Sequence, residues 1–225
     1  MTLTYRSGRL SLGLAVLVAA LAAALHAPAG ATNAFDREVL EFVREHRSND
    51  LDHLMNALSN EWSRQNLVLA SLAVAAWGDD RSFLAAQECI KSVALSEAAV
   101  SPLKYAVNRR RPTGTHSRTN SSFPSSHAAT GFAAAATIGH LYPDAKIPAY
   151  AVATLVACSR VYNQRHYATD VLAGACIGVA AARISRAYLG RLQIDRRDVT
   201  SRLPFRVMAD AGGRGPVRIY LTRDI

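Results

Sequence analysis

Two histidines in the second half of the chain stand beside residues that could make one a nucleophile and place the other next to an anion. Asp170 follows His166 by four residues, and a carboxylate at that spacing can accept one imidazole N–H and leave the other ring nitrogen free to attack. His127 comes directly after the Pro-Ser-Ser run 124–126, which favours a helix start, so we expect it in the first helical turn. Because helix starts bind anions, the pattern predicts chemistry on a group such as phosphate.

Basic residues just upstream could neutralise such an anion. Lys104 and Arg111 are seven residues apart, two turns of helix, so the spacing predicts that they project from one helix face and clamp a dianion. Pro112 disfavours helix at Arg111 and is expected to end the element there. Arg109 and Arg110 are interpreted as cations that offset the dipole at the helix end.

A third polar cluster connects two predicted helices. Arg160 ends one of them and Asp170 opens the next, so the loop that carries His166 should face the same end of the bundle as His127. Along the chain the order is therefore Lys-x6-Arg-Pro, then Pro-Ser-Ser-His, then Ser-Arg-x5-His-x3-Asp. Three spaced motifs in one order are far more specific than any single His/Asp pair.

This combination, over Lys104 to about Ala182, resembles the type 2 phosphatidic acid phosphatase superfamily, which includes bacterial class A acid phosphatases and vanadium haloperoxidases. The resemblance implies a phosphatase on a helical scaffold. His166 would attack phosphorus to give a phosphohistidine, Asp170 would orient it, and His127 would protonate the leaving oxygen. Water would then release phosphate, with His127 acting in reverse as the base.

The resemblance also implies how the phosphate is held, without a metal ion or other cofactor. Phosphoryl transfer asks mainly for positioning and charge neutralisation, which fixed cations can supply without Mg²⁺. The chain departs from the family pattern at Ser126, where members usually have Gly, and this puts the substrate preference in doubt. The implied phosphate-binding residues are Lys104, Arg111, Ser125, Ser126 and Arg160.

The sequence predicts that these residues are positioned by an all-α bundle of about six or seven helices. Apolar residues recur at helical spacing in the N-terminal third, and longer helical patterns follow. Alternating apolar residues around a Gly-rich run predict a small C-terminal β-hairpin. The expected longer helices are 83–108, 126–142, 147–162 and 170–188, after an apolar segment at 67–77. The expected organisation is a signal peptide at 1–31, a helical phosphatase domain at 32–190 and a basic tail at 191–225.

The first residues are typical of a secretory leader. Arg6 and Arg9 precede the apolar stretch Leu10–Leu25, and small residues follow at Ala29–Ala31. An uncleaved anchor is the alternative, although the stretch is shorter than the roughly 20 residues of a membrane span. The leader predicts export, to the periplasm or the outer face of the cytoplasmic membrane.

The net charge indicates which ligands the protein could bind, and the cysteines give no sign of a metal site. The net charge of +9, with arginines concentrated after residue 183, favours phosphorylated substrates or an anionic membrane surface. No motif for nucleic acid accompanies it. The three cysteines show no metal-ligand spacing and are interpreted as small buried apolar residues; they are Cys89, Cys158 and Cys176.

Several functions remain open at this point. A lipid phosphate or prenyl pyrophosphate is favoured as substrate by the leader and the apolar helices, whereas soluble phosphomonoesters would suit a non-specific periplasmic acid phosphatase. Vanadium-dependent halide oxidation by the same residues is a further alternative, since vanadate mimics the transition state of phosphoryl transfer. The last alternative is a lipid-binding bundle that does not turn over.

Overall fold

The structure, a computed structural model, describes residues 32–61, 71, 79–115, 117, 120–189, 192, 206–210 and 218–222. Within these residues six α-helices form, which confirms the predicted all-α bundle; the leader and the apolar segment 67–77 lie outside them. The helices are α1 (Ala34–Glu45), α2 (Asn49–Glu61), α3 (Asp80–Val107), α4 (Ser126–Leu141), α5 (Lys146–Tyr162) and α6 (Ala168–Ile184). A 3₁₀ turn (Pro143–Ala145) precedes α5, and a π-helical turn (Ser185–Leu189) continues α6.

Helix α4 is the centre of the bundle and packs against α3, α5 and α6. Its sequence is rich in alanine, the residue with the highest helix propensity, and its small side chains let neighbouring helices approach closely. On one side Ala129 packs with Val100 and Ile177, and on another Ala128 packs with a cluster from α5 and α6. The core therefore holds α4 in place from several sides.

Two glycines set the distance between α4 and α6. A Cβ on Gly174 would overlap the carbonyl oxygen of Ser125, and one on Gly178 would overlap that of Ala129. This close contact brings the starts of the two helices side by side, so that the Ser125 N–H donates to the Asp170 carbonyl at 3.1 Å. The loops that carry both motif histidines consequently lie at the same end of the bundle.

Helix α3 ends earlier than the proline suggested. It stops at Val107, where Asn108 adopts the left-handed conformation at φ 48° and its N–H donates to the Lys104 carbonyl. The prediction that Lys104 and Arg111 share one helix face is therefore wrong. Lys104 lies on the last turn of α3, whereas Arg111 reaches the site from the following loop.

The predicted C-terminal hairpin is present as strands β1 (Arg206–Asp210) and β2 (Arg218–Thr222). They pair antiparallel, with Val207 opposite Leu221.

Apolar surface is left uncovered on α5, where Ile147 is 82% exposed and Leu155 is 48% exposed. Cys158 also lies exposed on this helix, so the prediction that it is buried is wrong, whereas Cys89 is buried as expected. In the described part of the chain one helical stretch, Ala168–Leu189, is long and apolar enough to cross a membrane, with a mean hydropathy of 1.3. However, 56% of its apolar window is buried inside the bundle, as a core helix would also be.

Candidate active site

Four helix ends and one loop bring the motif residues together. The end of α3, the start of α4, the end of α5 and the start of α6 meet, and described residues between α3 and α4, among them Arg111 and Ser122, contact them. Around His127 the structure gathers two cations from helices, a third from the loop and the second histidine; they are Lys104, Arg160, Arg111 and His166. Burial first, and then these neighbours, lower the pKa of His127 to about 3. The side chains that were expected to converge therefore lie within electrostatic range of His127.

His166 is held by a backbone carbonyl. Its ring is 1% exposed, and Nδ1 lies 2.7 Å from the carbonyl oxygen of Ser122, which places the proton on Nδ1. The Asp170 carboxylate lies 3.8 Å from Nδ1, which is an ion-pair distance but too long for a hydrogen bond. The direct hydrogen bond expected from Asp170 is thus replaced by Ser122, and Asp170 acts on the ring through its charge. Nε2 is then the unprotonated ring nitrogen, and it accepts a long hydrogen bond from Nη1 of Arg111 at 3.5 Å.

Burial sets the charge state of both residues. It lowers the pKa of His166 to about 4, against the opposing effect of Asp170, so the ring is neutral near pH 7. Burial alone would raise the pKa of Asp170, but His166, Arg109 and Ser122 outweigh it and hold the pKa below its usual range. A neutral imidazole beside a charged carboxylate is the state that a nucleophile needs.

Asp170 is tied to three groups besides the histidine. Its Oδ2 accepts from the Ser122 hydroxyl at 2.5 Å and from the Tyr167 N–H at 2.8 Å. Its Oδ1 accepts from Nη1 of Arg109 at 2.6 Å. The interpretation of Arg109 as a cation for the helix dipole is therefore wrong, because the buried guanidinium pairs with the carboxylate behind the nucleophile.

Neutral oxygens hold the three phosphate-binding candidates in place. Lys104 Nζ donates to the Ser121 carbonyl at 2.8 Å. Arg111 donates through Nη2 to Asn120 Oδ1 at 2.7 Å and through Nη1 to the Arg165 carbonyl at 2.8 Å. Such partners fix a cation without neutralising it.

Arg160 keeps one donor unused. Its Nη1 donates to both the carbonyl and the hydroxyl of Ser59 on α2. Its Nε is buried and has no hydrogen-bond partner among the described residues. Because a buried donor without an acceptor is costly, this N–H marks a place where an anion would be stabilised.

Burial and the mutual repulsion of these cations lower their pKa values. Burial first, then Arg111, lower the pKa of Lys104 to about 8. Burial and the neighbouring arginines Arg111 and Arg165 lower the pKa of Arg160 to about 10. A bound dianion would relieve this repulsion, so the pocket is electrostatically prepared for one.

The serines of the second motif lie at the start of α4, as predicted. Ser125 is buried and is the N-cap, with its Oγ 3.5 Å from the Ala128 N–H. Ser126 is the first residue of the helix and is partly buried, and His127 follows in the first turn. Ser125, Ser126 and His127 are therefore consecutive residues at the start of α4, where a helix can bind an anion.

The sequence analysis did not identify the residues that hydrogen-bond to the candidate site residues and hold them in place. Ser121 and Ser122 lie just before α4, and their carbonyls accept hydrogen bonds from Lys104 and His166. Asp36 and Ser59 come from α1 and α2, far away in the sequence. The Asn33 cap before Asp36 is a local signal for a helix start, but nothing local indicates its partner.

Comparison with known proteins agrees with this geometry. The model of the PAP2 superfamily matches residues 88–193. Lipid A 1-phosphatase of Porphyromonas gingivalis is 39% identical over 97 residues, which cover 41% of this chain and 21% of that protein. The match thus spans about a fifth of the length of that relative.

Two solved structures share the fold. A transmembrane PAP2-type phosphatidylglycerolphosphate phosphatase from Bacillus subtilis superposes with a TM-score of 0.64 at 20% identity, covering 82% of this chain and 97% of its own. Aquifex aeolicus LpxE superposes with a TM-score of 0.59 at 23% identity, covering 69% and 97%. The family match over residues 88–193, the three motifs and the shared helical fold agree in relating this part of the chain to the PAP2 superfamily.

Proposed function

We propose that the protein is a phosphatase that hydrolyses a phosphate monoester or pyrophosphate, most favourably on a lipid, through a phosphohistidine at His166. The observation that carries the proposal is the unprotonated Nε2 of His166, which faces Arg111. Nδ1 is engaged by the Ser122 carbonyl, and the cations Lys104, Arg111 and Arg160 are held near the site by neutral oxygens. A fixed tautomer aimed into an anion pocket is the arrangement that nucleophilic attack on phosphorus requires.

The first chemical step transfers the phosphoryl group to the protein. Nε2 of His166 forms a bond to phosphorus while the bond to the leaving oxygen breaks, and His127 gives that oxygen its proton. Asp170 stabilises the positive charge that develops on the His166 ring. Lys104 and the two arginines neutralise the equatorial oxygens, and the Nε–H of Arg160 finds its acceptor there.

The second step restores the protein. Water attacks phosphorus and gives a proton to the now neutral His127, while the bond to Nε2 of His166 breaks. Inorganic phosphate then leaves and His166 is neutral again. Burial and nearby cations hold the pKa of His127 at about 3, and the charge of a bound phosphate raises it enough for His127 to serve as the acid. When phosphate departs, the pKa of His127 falls again and its proton is released to solvent with the product.

The substrate class is supported by two observations. Relatives of the domain are described as phosphatases of lipid A and of phosphatidylglycerolphosphate, both lipids. The exposed apolar side chains of α5 would suit contact with acyl chains or a membrane surface, which also fits the predicted leader and basic tail. We therefore place the protein at the outer face of the cytoplasmic membrane, and a soluble phosphomonoester is the second candidate.

A phosphate-release panel tests the proposal. Full-length protein is assayed with phosphatidate, undecaprenyl pyrophosphate and an aryl phosphate, with and without EDTA. We expect release from the lipids to exceed that from the aryl phosphate, no effect of EDTA, and loss of release in His166→Ala. Equal release by wild type and His166→Ala, or release that EDTA abolishes, would contradict the mechanism.

Two further assays separate the remaining alternatives. Bromide oxidation by peroxide with added vanadate would reveal a haloperoxidase. Lipid binding with no phosphate release by wild type on any substrate would reveal a bundle that binds without turnover.

A further inference from the structure

A buried ion-pair network behind His166 extends to helix α1, outside the segment that the family model matches. Asp36 lies in the first turn of α1 and is 0% exposed, although it precedes residue 88 by a long stretch of chain. Carboxylates are rarely buried to this extent unless charged partners hold them. Its partners therefore indicate what the burial achieves.

The Asp36 carboxylate accepts hydrogen bonds both from the start of α6 and from Arg109. Its Oδ2 accepts from Arg109 Nη2 at 2.7 Å and from the Thr169 hydroxyl at 2.7 Å. Its Oδ1 accepts from the Thr169 N–H at 3.0 Å. The Asp36 N–H donates to the Asn33 side chain at 2.7 Å, which fixes the first turn of α1. The carboxylate thus accepts three hydrogen bonds, all from groups next to the nucleophile.

The side chain of Arg109 connects Asp36 to Asp170, the carboxylate beside His166. Its Nη1 donates to Asp170 Oδ1 at 2.6 Å and to the Thr169 hydroxyl at 2.9 Å, and the guanidinium lies 4.0 Å from the centroid of the Tyr167 ring. Burial alone would lower the pKa of Arg109, but Asp170 and Asp36 outweigh it and raise the pKa. A permanently charged arginine therefore stands between two carboxylates.

The backbone of Arg109 restrains the other partner of His166. Its N–H donates to the Ser121 hydroxyl at 2.9 Å, and its carbonyl accepts from the Ser122 N–H at 2.8 Å. The Ser122 carbonyl in turn receives Nδ1 of His166. One residue thereby positions both the carboxylate and the carbonyl that face the nucleophilic ring.

We propose that Asp36 is a positioning residue of the active site, which acts through Arg109 and Thr169 to set where Asp170 and the His166 ring stand. Helix α1 is then part of the catalytic apparatus and not only a cover for the bundle. The catalytic consequence rests on the proposed phosphatase function, whereas the positioning itself does not. A buried ion pair contributes little net stability compared with apolar packing, so geometric restraint is the better account of this network.

The kinetic test uses a double-mutant cycle. Phosphate release is measured for wild type, Asp36→Asn, Asp170→Asn and the double variant, with Glu41→Gln as the matched control, since Glu41 is an exposed carboxylate on the same helix. We expect Asp36→Asn to lower kcat about 10- to 100-fold while KM stays within about 2-fold, because Asp36 does not reach the phosphate. Glu41→Gln should match wild type.

The double variant separates positioning from general stability. If Asp36 acts through Asp170, the double variant should lose little more than Asp170→Asn alone. Losses that multiply, or an Asp36→Asn variant with the kcat of wild type, would overturn the proposal.

Amide hydrogen exchange provides a second reading that needs no turnover. In Asp36→Asn the amides of Tyr167 and Thr169 should exchange faster than in wild type, with Glu41→Gln unchanged. Unchanged exchange in Asp36→Asn would overturn the positioning role. If wild type releases no phosphate from any substrate, the proposed function fails, and the exchange measurement still decides the role of Asp36.

Discussion

Binding of a tetrahedral dianion should change the protonation of His127. In the empty pocket burial and nearby cations hold its pKa at about 3, against 6.5 for an unperturbed histidine. A difference of about 3.5 pKa units corresponds to roughly 5 kcal/mol disfavouring the imidazolium. Two negative charges bound between Lys104, Arg111 and Arg160 oppose the cationic contribution, so we expect the pKa of His127 to rise above 6 in the complex.

Tungstate is a suitable ligand, because it remains a dianion at the pH values needed. Titration calorimetry at pH 6, in buffers with different heats of ionisation, measures the protons taken up on binding. We expect wild type to take up about one proton more than His127→Gln. Below the pKa that His127 has in the complex, the affinity of wild type should fall by up to about tenfold per pH unit as the pH rises, because the binding proton becomes scarce.

The comparison with His127→Gln is needed because His166 also lies near the ligand and could take up the proton instead. Equal uptake by wild type and His127→Gln would show that His127 is not the group that the anion protonates. Its assignment as the acid for the leaving oxygen would then be refuted. Binding without uptake in either protein would refute the electrostatic argument for the whole pocket.

Three further outcomes follow from the same geometry. Gly178→Val should lower the free energy of unfolding by about 2–3 kcal/mol, measured by urea titration, because the new side chain would overlap the Ala129 carbonyl. As a control, Leu172→Ala on the exposed face of α6 should change the free energy of unfolding far less. The folded protein keeps His166 neutral with a pKa of about 4, below 6.5, so the stability that depends on the neutral ring is full above pH 6.5 and is lost between pH 6.5 and 4. Over this range wild type should lose roughly 3 kcal/mol more than His166→Gln, because the loss that comes from His127 is common to both proteins. Arg111→Lys should reduce kcat/KM by about 10-fold or more, because lysine lacks the fork that holds both Asn120 and the Arg165 carbonyl; a loss under twofold would argue against that fork.

Local patterns were sufficient to predict the helices and which helix ends carry the candidate residues. The Pro-Ser-Ser run placed the start of α4 and His127 within its first turn, and the structure has both. The polar cluster from Arg160 to Asp170 correctly joined α5 to α6. These predictions held because capping and helix periodicity depend on neighbours in the sequence.

Where helix ends involve competing signals, the same reasoning failed. Pro112 suggested a helix reaching Arg111, but Asn108 ends α3 through its left-handed conformation. Spacing likewise suggested a hydrogen bond between His166 and Asp170, which are one helical turn apart. The ring precedes the start of α6, so the nearest acceptor is the Ser122 carbonyl from a different loop.

The sequence by itself identified which residues are candidates for the chemistry, because motif order and residue type are properties of the chain. Only the tertiary structure decided what holds them. Ser59 on Arg160 and Asp36 on Arg109 are contacts between segments far apart along the chain. Their formation depends on how the whole bundle packs around α4, and above all on the close approach that Gly174 and Gly178 permit. Periodicity within one segment contains no information about such partners.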